Sequence, residues 1–105
     1  MEKLFNYIDG ALVAPQNNQY IDNYDPSKGE VYALIPDSDA TDVELAVKAA
    51  KAAFPSWSVT PKEERYKIIM RLVDLIEQNL DMLAAAESKD NGKPLKLAQT
   101  VDIPR

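Results

Sequence analysis

The chain has no cysteine and no histidine among its 105 residues. Without cysteine there is no disulfide framework, no thiolate nucleophile and no thiolate-held metal. Without histidine the commonest general base and the commonest transition-metal ligand are missing as well. Glycine is scarce: Gly10, Gly29 and Gly92 stand far apart, each where a turn explains it, so there is no phosphate-cradling loop and no dinucleotide fingerprint. No apolar run approaches the roughly 20 residues that cross a bilayer. Met1-Glu2-Lys3-Leu4-Phe5-Asn6 has neither the apolar core nor the Arg-rich face of a targeting segment. There is no run of like charges, and the net charge of −5 argues against a general affinity for nucleic acid or an anionic membrane. The expectation is a soluble, cytoplasmic protein with no nucleic-acid or membrane partner.

What is present is an ordinary globular composition, 46% hydrophobic and 28% charged. The first third alternates with period two. Leu4 to Ile8 and Ala11 to Val13 flank Asp9-Gly10, a pair that tolerates positive φ and predicts a tight hairpin. Tyr20 to Tyr24 and Glu30 to Ile35 flank Asp25-Pro26-Ser27-Lys28-Gly29, with Pro26 suited to the first corner of a turn and Gly29 to its left-handed residue. Pro36 ends this second pair. Two hairpins are expected over residues 1–36.

From residue 41 the period becomes helical, and helices are expected over 41–99. Thr41-Asp42-Val43-Glu44 reads as a capping box with Thr41 as N-cap and Glu44 reaching back. Val43, Ala46, Val47, Ala50 and Phe54 recur on one face, and Pro55 is expected to stop the helix. Ser56-Trp57-Ser58-Val59 then reads as a linker pinned by Trp57 as a core anchor. Thr60-Pro61-Lys62-Glu63 is a second capping box, with Pro at the first helical position. Ile68, Ile69, Leu72, Val73 and Ile76 make the stripe expected to be buried. Asn79 reads as a break and re-cap. Gly92 is placed as a left-handed C-terminal residue, with Pro94 blocking continuation, and a short helical piece is expected from Leu95 to Gln99. Asp102-Ile103-Pro104-Arg105 reads as the opening of a further helix with Asp102 as N-cap, which suggests the first part of a longer protein. The helices carry more apolar face than two small hairpins cover, unless they pack on one another.

Little here is chemistry. Asp37 with Asp39 could suggest a cation pair and Glu63-Glu64 a carboxylate pair, but solvated loop acids and first-turn acids facing a helix dipole account for both. Lys89 and Lys93 flank a helix C-terminus, where cations are favourable without a ligand. Tyr20, Tyr24 and Tyr32 fit cross-strand packing. Nucleophile, base and oxyanion donor do not occur together.

Five segments, in order, resemble the N-terminus of the aldehyde dehydrogenase superfamily. They are Tyr7-Ile8-Asp9-Gly10, the stretch from Asp25 to Val31, the stretch from Ala49 to Ser58, Pro61-Lys62-Glu63-Glu64-Arg65, and Asp90-Asn91-Gly92-Lys93-Pro94. Residues 20–27, 87–90 and 100–105 are most similar to the branch of 2-aminomuconic and 2-hydroxymuconic semialdehyde dehydrogenases. The resemblance implies an α/β parent in which 1–105 is the N-terminal part of the cofactor-binding domain: two β-hairpins, then two to three α-helices supporting a Rossmann-like sheet. It implies oxidation of an aldehyde to a carboxylate with NAD+ or NADP+, and a homodimer or homotetramer. No catalytic and no cofactor-binding residue carries over, since the family's Cys nucleophile has no counterpart here. One site does carry over: the resemblance implies a structural Na+ or K+ held by backbone carbonyls at Asn23 and Tyr24 and by the carboxylate of Asp102, oxygen donors that suit a hard cation. Three functional readings follow: the inactive scaffold segment of such an enzyme, a stand-alone, non-catalytic interaction module derived from the family, or a small α+β binding domain whose resemblance is only ancestral.

Overall fold

A computed structural model describes all of residues 1–105. The elements run β1 (Glu2–Lys3), β2 (Asn6–Ile8), β3 (Ala11–Val13), β4 (Tyr20–Asp25), β5 (Glu30–Pro36), α1 (Ala40–Ser58), α2 (Lys62–Gln78), α3 (Leu80–Asn91), α4 (Leu95–Leu97) and a π-helical turn (Ala98–Asp102). They fall into two compact units, residues 1–24 with 31–59, and residues 25–30 with 60–105.

In the first unit, β2 and β3 pair antiparallel, with Tyr7 opposite Leu12. Asp9 and Gly10 at the tip have φ of 53° and 78°. Two successive left-handed residues give the turn whose twist matches that of paired strands. The other sheet has the order β1-β5-β4. Its β1 runs parallel to β5, Glu2 facing Ala33 and Lys3 facing Leu34, a long-range pairing that two residues of sequence could not announce. Lys3 Nζ lies 4.6 Å from the centre of the Tyr20 ring.

Helix α1 departs from expectation at both ends. Its N-cap is Asp39, not Thr41: the Asp39 carboxylate accepts from Thr41 N–H at 2.9 Å. The reciprocal carboxylate is Asp42, not Glu44, and its Oδ2 accepts from Asp39 N–H at 3.2 Å. Oδ1 of Asp42 accepts from Gln16 N–H at 3.0 Å. One carboxylate, only 3% exposed, therefore ties the loop after β3 to the start of α1. At the far end the helix runs through Pro55 to Ser58. A proline this near the end forfeits one hydrogen bond without ending the helix, and the hydroxyls of Ser56 and Ser58 donate to the carbonyls of Ala53 and Pro55. Trp57 is thus helical, and at 42% exposed it anchors no core.

In the second unit, α2 starts at Lys62 with Pro61 at its N-cap, and Pro61 offers no side-chain acceptor. The break at Asn79 comes where expected, but the side chain serves the preceding helix: Nδ2 donates to Leu75 C=O at 2.7 Å, and no side-chain bond caps α3. Gly92 closes α3 at φ 77°, its N–H donating to Ser88 C=O at 2.9 Å. A Cβ on Gly92 would sit 3.0 Å from Pro26 Cγ, so this turn needs glycine for space as well as for conformation. Ala84 and Ala98 are completely buried, small side chains that let α3 and the π-helical turn approach closely. That turn carries Ile103 N–H to Ala98 C=O at 3.1 Å. Asp102 is its last residue.

The stripes expected to be buried are largely uncovered. Val43, Val47 and Phe54 on α1 are exposed, as are Ile68, Ile69, Leu72 and Val73 on α2, with Ile68 at 54%. No large side chain anywhere is fully buried.

Candidate functional site

Asn23 and Tyr24 lie on β4 in the first unit, and Asp102 ends the π-helical turn in the second. Asn23 Nδ2 donates to the Tyr32 hydroxyl at 3.0 Å. Tyr24 is exposed.

Asp102 is held by its neighbours in the second unit. Lys93, in the turn that Gly92 opens, brings Nζ to 2.7 Å from Asp102 Oδ2. That oxygen is buried and accepts no hydrogen bond, so the contact is an ion pair approached off the hydrogen-bonding direction. The Lys93 ammonium already supplies the counter-charge of that oxygen. Nowhere do three His, Cys, Asp or Glu side chains group as a metal cluster. Any cation here would depend on backbone carbonyls beside the single carboxylate.

Asp25, read in the sequence only as part of a turn, is the best-organised carboxylate of the second unit. It is 6% exposed. Its Oδ1 accepts from the Ser27 hydroxyl at 2.6 Å and from Ser27 N–H at 2.9 Å. The hydroxyl bond is the chief reason its carboxyl sits below the ordinary carboxylate value. Burial opposes that shift, and the Ser27 amide and the charges of Lys28 and Lys89 reinforce it. Asp25, Ser27, Ser88 and Lys89 help to line a cavity of about 250 Å³ beside Gly92. The sequence signal was the turn itself, Asp-Pro-Ser, in which an aspartate caps the amide two residues on. This arrangement holds a charged carboxylate in place and offers no activated nucleophile. A second, more apolar cavity of about 330 Å³ is lined by Val73, Ile76, Leu80, Ile103 and Pro104, with Glu77 and Arg105 as its charged members.

Comparison with known proteins supplies what the geometry alone does not. The profile of the aldehyde dehydrogenase family matches residues 12–105. The chain belongs to the aldehyde dehydrogenase family. The 2-aminomuconic semialdehyde dehydrogenase of Homo sapiens is 52% identical over 102 residues, which are 97% of this chain and 20% of that protein. An aldehyde dehydrogenase of Deinococcus radiodurans is 46% identical over 99 residues, 94% of this chain and 19% of that protein. The structure of the Bacillus cereus aldehyde dehydrogenase in complex with NAD+ superposes with a TM-score of 0.93 at 36% identity, covering 97% of this chain and 21% of that one. The present chain thus spans about a fifth of the length of these relatives. Its strands followed by helices match the corresponding part of the aldehyde dehydrogenase α/β fold. No helix is long and apolar enough to cross a membrane.

Proposed function

We propose that this chain is the N-terminal scaffold segment, 1–105, of the cofactor-binding domain of a cytoplasmic NAD(P)+-dependent aldehyde dehydrogenase, and that it is inactive by itself. The parent would oxidise an aldehyde, with a muconic semialdehyde the favoured class, to a carboxylate and assemble as a homodimer or homotetramer. The observation that carries this reading is the match of nearly the whole chain to a fifth of each relative. The uncovered apolar stripes of α1 and α2 support it, since a scaffold for a larger sheet needs such faces. So does the absence of cysteine, because the family chemistry begins with a thiolate attacking the carbonyl.

The reaction needs that thiolate to form a thiohemiacetal, a nicotinamide to accept hydride, and water to hydrolyse the thioester. None of these steps has a residue in this segment. Its contribution is support, and one cation site: the carbonyls of Asn23 and Tyr24 and the carboxylate of Asp102 would bind Na+ or K+ together with an oxygen from elsewhere in the parent.

The test is an assay of NAD+ and NADP+ reduction with a panel of aldehydes, run on this chain and on the product of the reading frame extended past Arg105. Activity only in the extended protein is expected, with its Tm raised by Na+ or K+ relative to a bulky organic cation. Turnover by the 105-residue chain would overturn the scaffold reading. A stop codon after Arg105, with a cooperatively folding product, would favour the non-catalytic interaction module instead.

A further inference from the structure

Asn91 and Gly92 form the one Asn-Gly pair in the chain. An asparagine followed by glycine is the sequence most open to cyclisation, because no Cβ on the next residue hinders attack by its nitrogen, and asparagine is among the thermolabile residues for this reason. Both residues are exposed at the end of α3.

Three hydrogen bonds hold the reacting groups apart. Gly92 N–H, the nitrogen that would attack, donates to Ser88 C=O at 2.9 Å. Asn91 Nδ2, which would leave, donates to Glu87 Oε1 at 2.7 Å. Asn91 Oδ1 accepts from Lys93 N–H at 2.8 Å. The side chain is thus pinned at both polar atoms while the nucleophile is tied into the helix.

We propose that Asn91 is a deamidation site kept closed by the last turn of α3. Opening of that turn frees the Gly92 nitrogen, which loses its proton and bonds to Asn91 Cγ. The Cγ–Nδ2 bond breaks, ammonia leaves, and a five-membered succinimide results. Water then adds to one of its two carbonyls, giving aspartate or isoaspartate, with no change of oxidation state.

The product re-forms the closed turn less readily, having lost the Nδ2 donor to Glu87. An aspartate at 91 places a carboxylate one helical turn from Glu87, where like charges repel, and at a helix C-terminus, where the dipole disfavours an anion. An isoaspartyl link routes the main chain through Cβ and lengthens it ahead of Lys93, the residue whose ammonium meets Asp102. The modification therefore loosens the Lys93–Asp102 pair.

The test incubates the 105-residue chain in mildly alkaline buffer with and without concentrated urea and follows residue 91 by peptide mapping and mass spectrometry. In urea, Asn91 should convert readily, and Gly92→Ala should abolish most of that conversion. In native buffer the wild-type rate should be lower by about tenfold or more, since opening must break several hydrogen bonds. Glu87→Ala should raise the native rate roughly two- to fivefold, the loss of one exposed hydrogen bond, and leave the urea rate unchanged. Glu87→Gln, which keeps an acceptor, should stay near wild type. Equal rates with and without urea, an inert Asn91 in urea, or a Gly92→Ala variant that converts as fast as wild type would each overturn the proposal.

Discussion

Replacing Asp42 should cost far more than replacing Thr41, although Thr41 is the residue a capping motif would single out. Asp42 is 3% exposed and accepts two backbone hydrogen bonds, from Gln16 N–H at 3.0 Å and Asp39 N–H at 3.2 Å. Asp42→Ala leaves two N–H donors without their acceptor. Each lost bond to a charged group is worth about 1–1.5 kcal/mol once partial rehydration of the donor is allowed for. The lost favourable charge in the helix's first turn adds about 0.3 kcal/mol, for a total of roughly 2–3 kcal/mol. Asp42→Asn keeps one acceptor oxygen and should lose about 1 kcal/mol. Asp39→Ala removes an ordinary N-cap, about 1 kcal/mol, whereas Thr41→Ala should stay within about 0.5 kcal/mol of wild type. Urea titration followed by far-UV circular dichroism reads all four. With a slope of roughly 1–1.5 kcal/mol per molar for so small a chain, Asp42→Ala should lower the midpoint by about 2 M. A Thr41→Ala loss as large as that of Asp39→Ala, or an Asp42→Ala loss below about 0.5 kcal/mol, would refute this account of the helix start.

Three further outcomes are expected. Gly92→Ala should destabilise by about 2 kcal/mol, through its left-handed φ and the 3.0 Å approach to Pro26 Cγ; Pro26→Ala in the same chain should return part of that loss, so an additive double mutant would count against the steric contribution. Lys93→Met should cost about 1 kcal/mol, because the pair it breaks is only partly exposed (37% and 25%) and leaves Asp102 Oδ2 buried without its counter-charge; Asp102→Asn in the Lys93→Met background should recover stability, measured by the same titration. Asp25 has a carboxyl lowered from 3.8, so its contribution is fully present above that value and is lost as pH falls through the lower folded value; Asp25→Asn should flatten the acid limb of a stability-versus-pH curve, and an unchanged acid limb would show that Asp25 is not responsible for it.

The residues that sequence reasoning placed correctly are those whose role is intrinsic. Asp9-Gly10, Gly29 and Gly92 adopt left-handed φ in the structure, because that choice depends on the side chain, or its lack, at the residue itself. The helix start failed for a different reason. Thr-x-x-Glu and Asp-x-x-Asp overlap within Asp39 to Glu44, and both satisfy the motif. What selects the second is Gln16, 26 positions away in the chain, and no local pattern contains that. Pro55 misled because the rule against proline is strict in a helix interior and lenient near its end, and the end was unknown. The π-helical turn ending at Asp102 left no local mark either, since it goes with Ala98 packing without exposure in the second unit. For the candidate cation site, Asn23, Tyr24 and Asp102 were nameable only through family resemblance, since one carboxylate and two main-chain carbonyls leave no mark in composition or spacing.

The contrast between satisfied turns and uncovered stripes has an energetic reading. The caps, Asx turns and left-handed glycines close locally, each worth about 1 kcal/mol and each independent of what lies beyond the segment. The stripe of Ile68, Ile69, Leu72 and Val73 does not close. Full burial of such side chains is worth about 1.5–3 kcal/mol apiece, so half-exposed ones forgo roughly 1 kcal/mol each, about 4 kcal/mol for these four on α2 alone. That is comparable to the whole stability of a marginal domain. A helix with this face gains more from a partner surface than from any cap it carries. On the proposed reading that surface is the rest of the cofactor-binding domain. Leu72→Asp should therefore cost this chain only about 1 kcal/mol, the part of its burial already realised, yet lower the Tm and soluble yield of the full-length parent far more. Equal tolerance in both would mean that the face stays in water in the enzyme too, and the scaffold reading would lose its physical support.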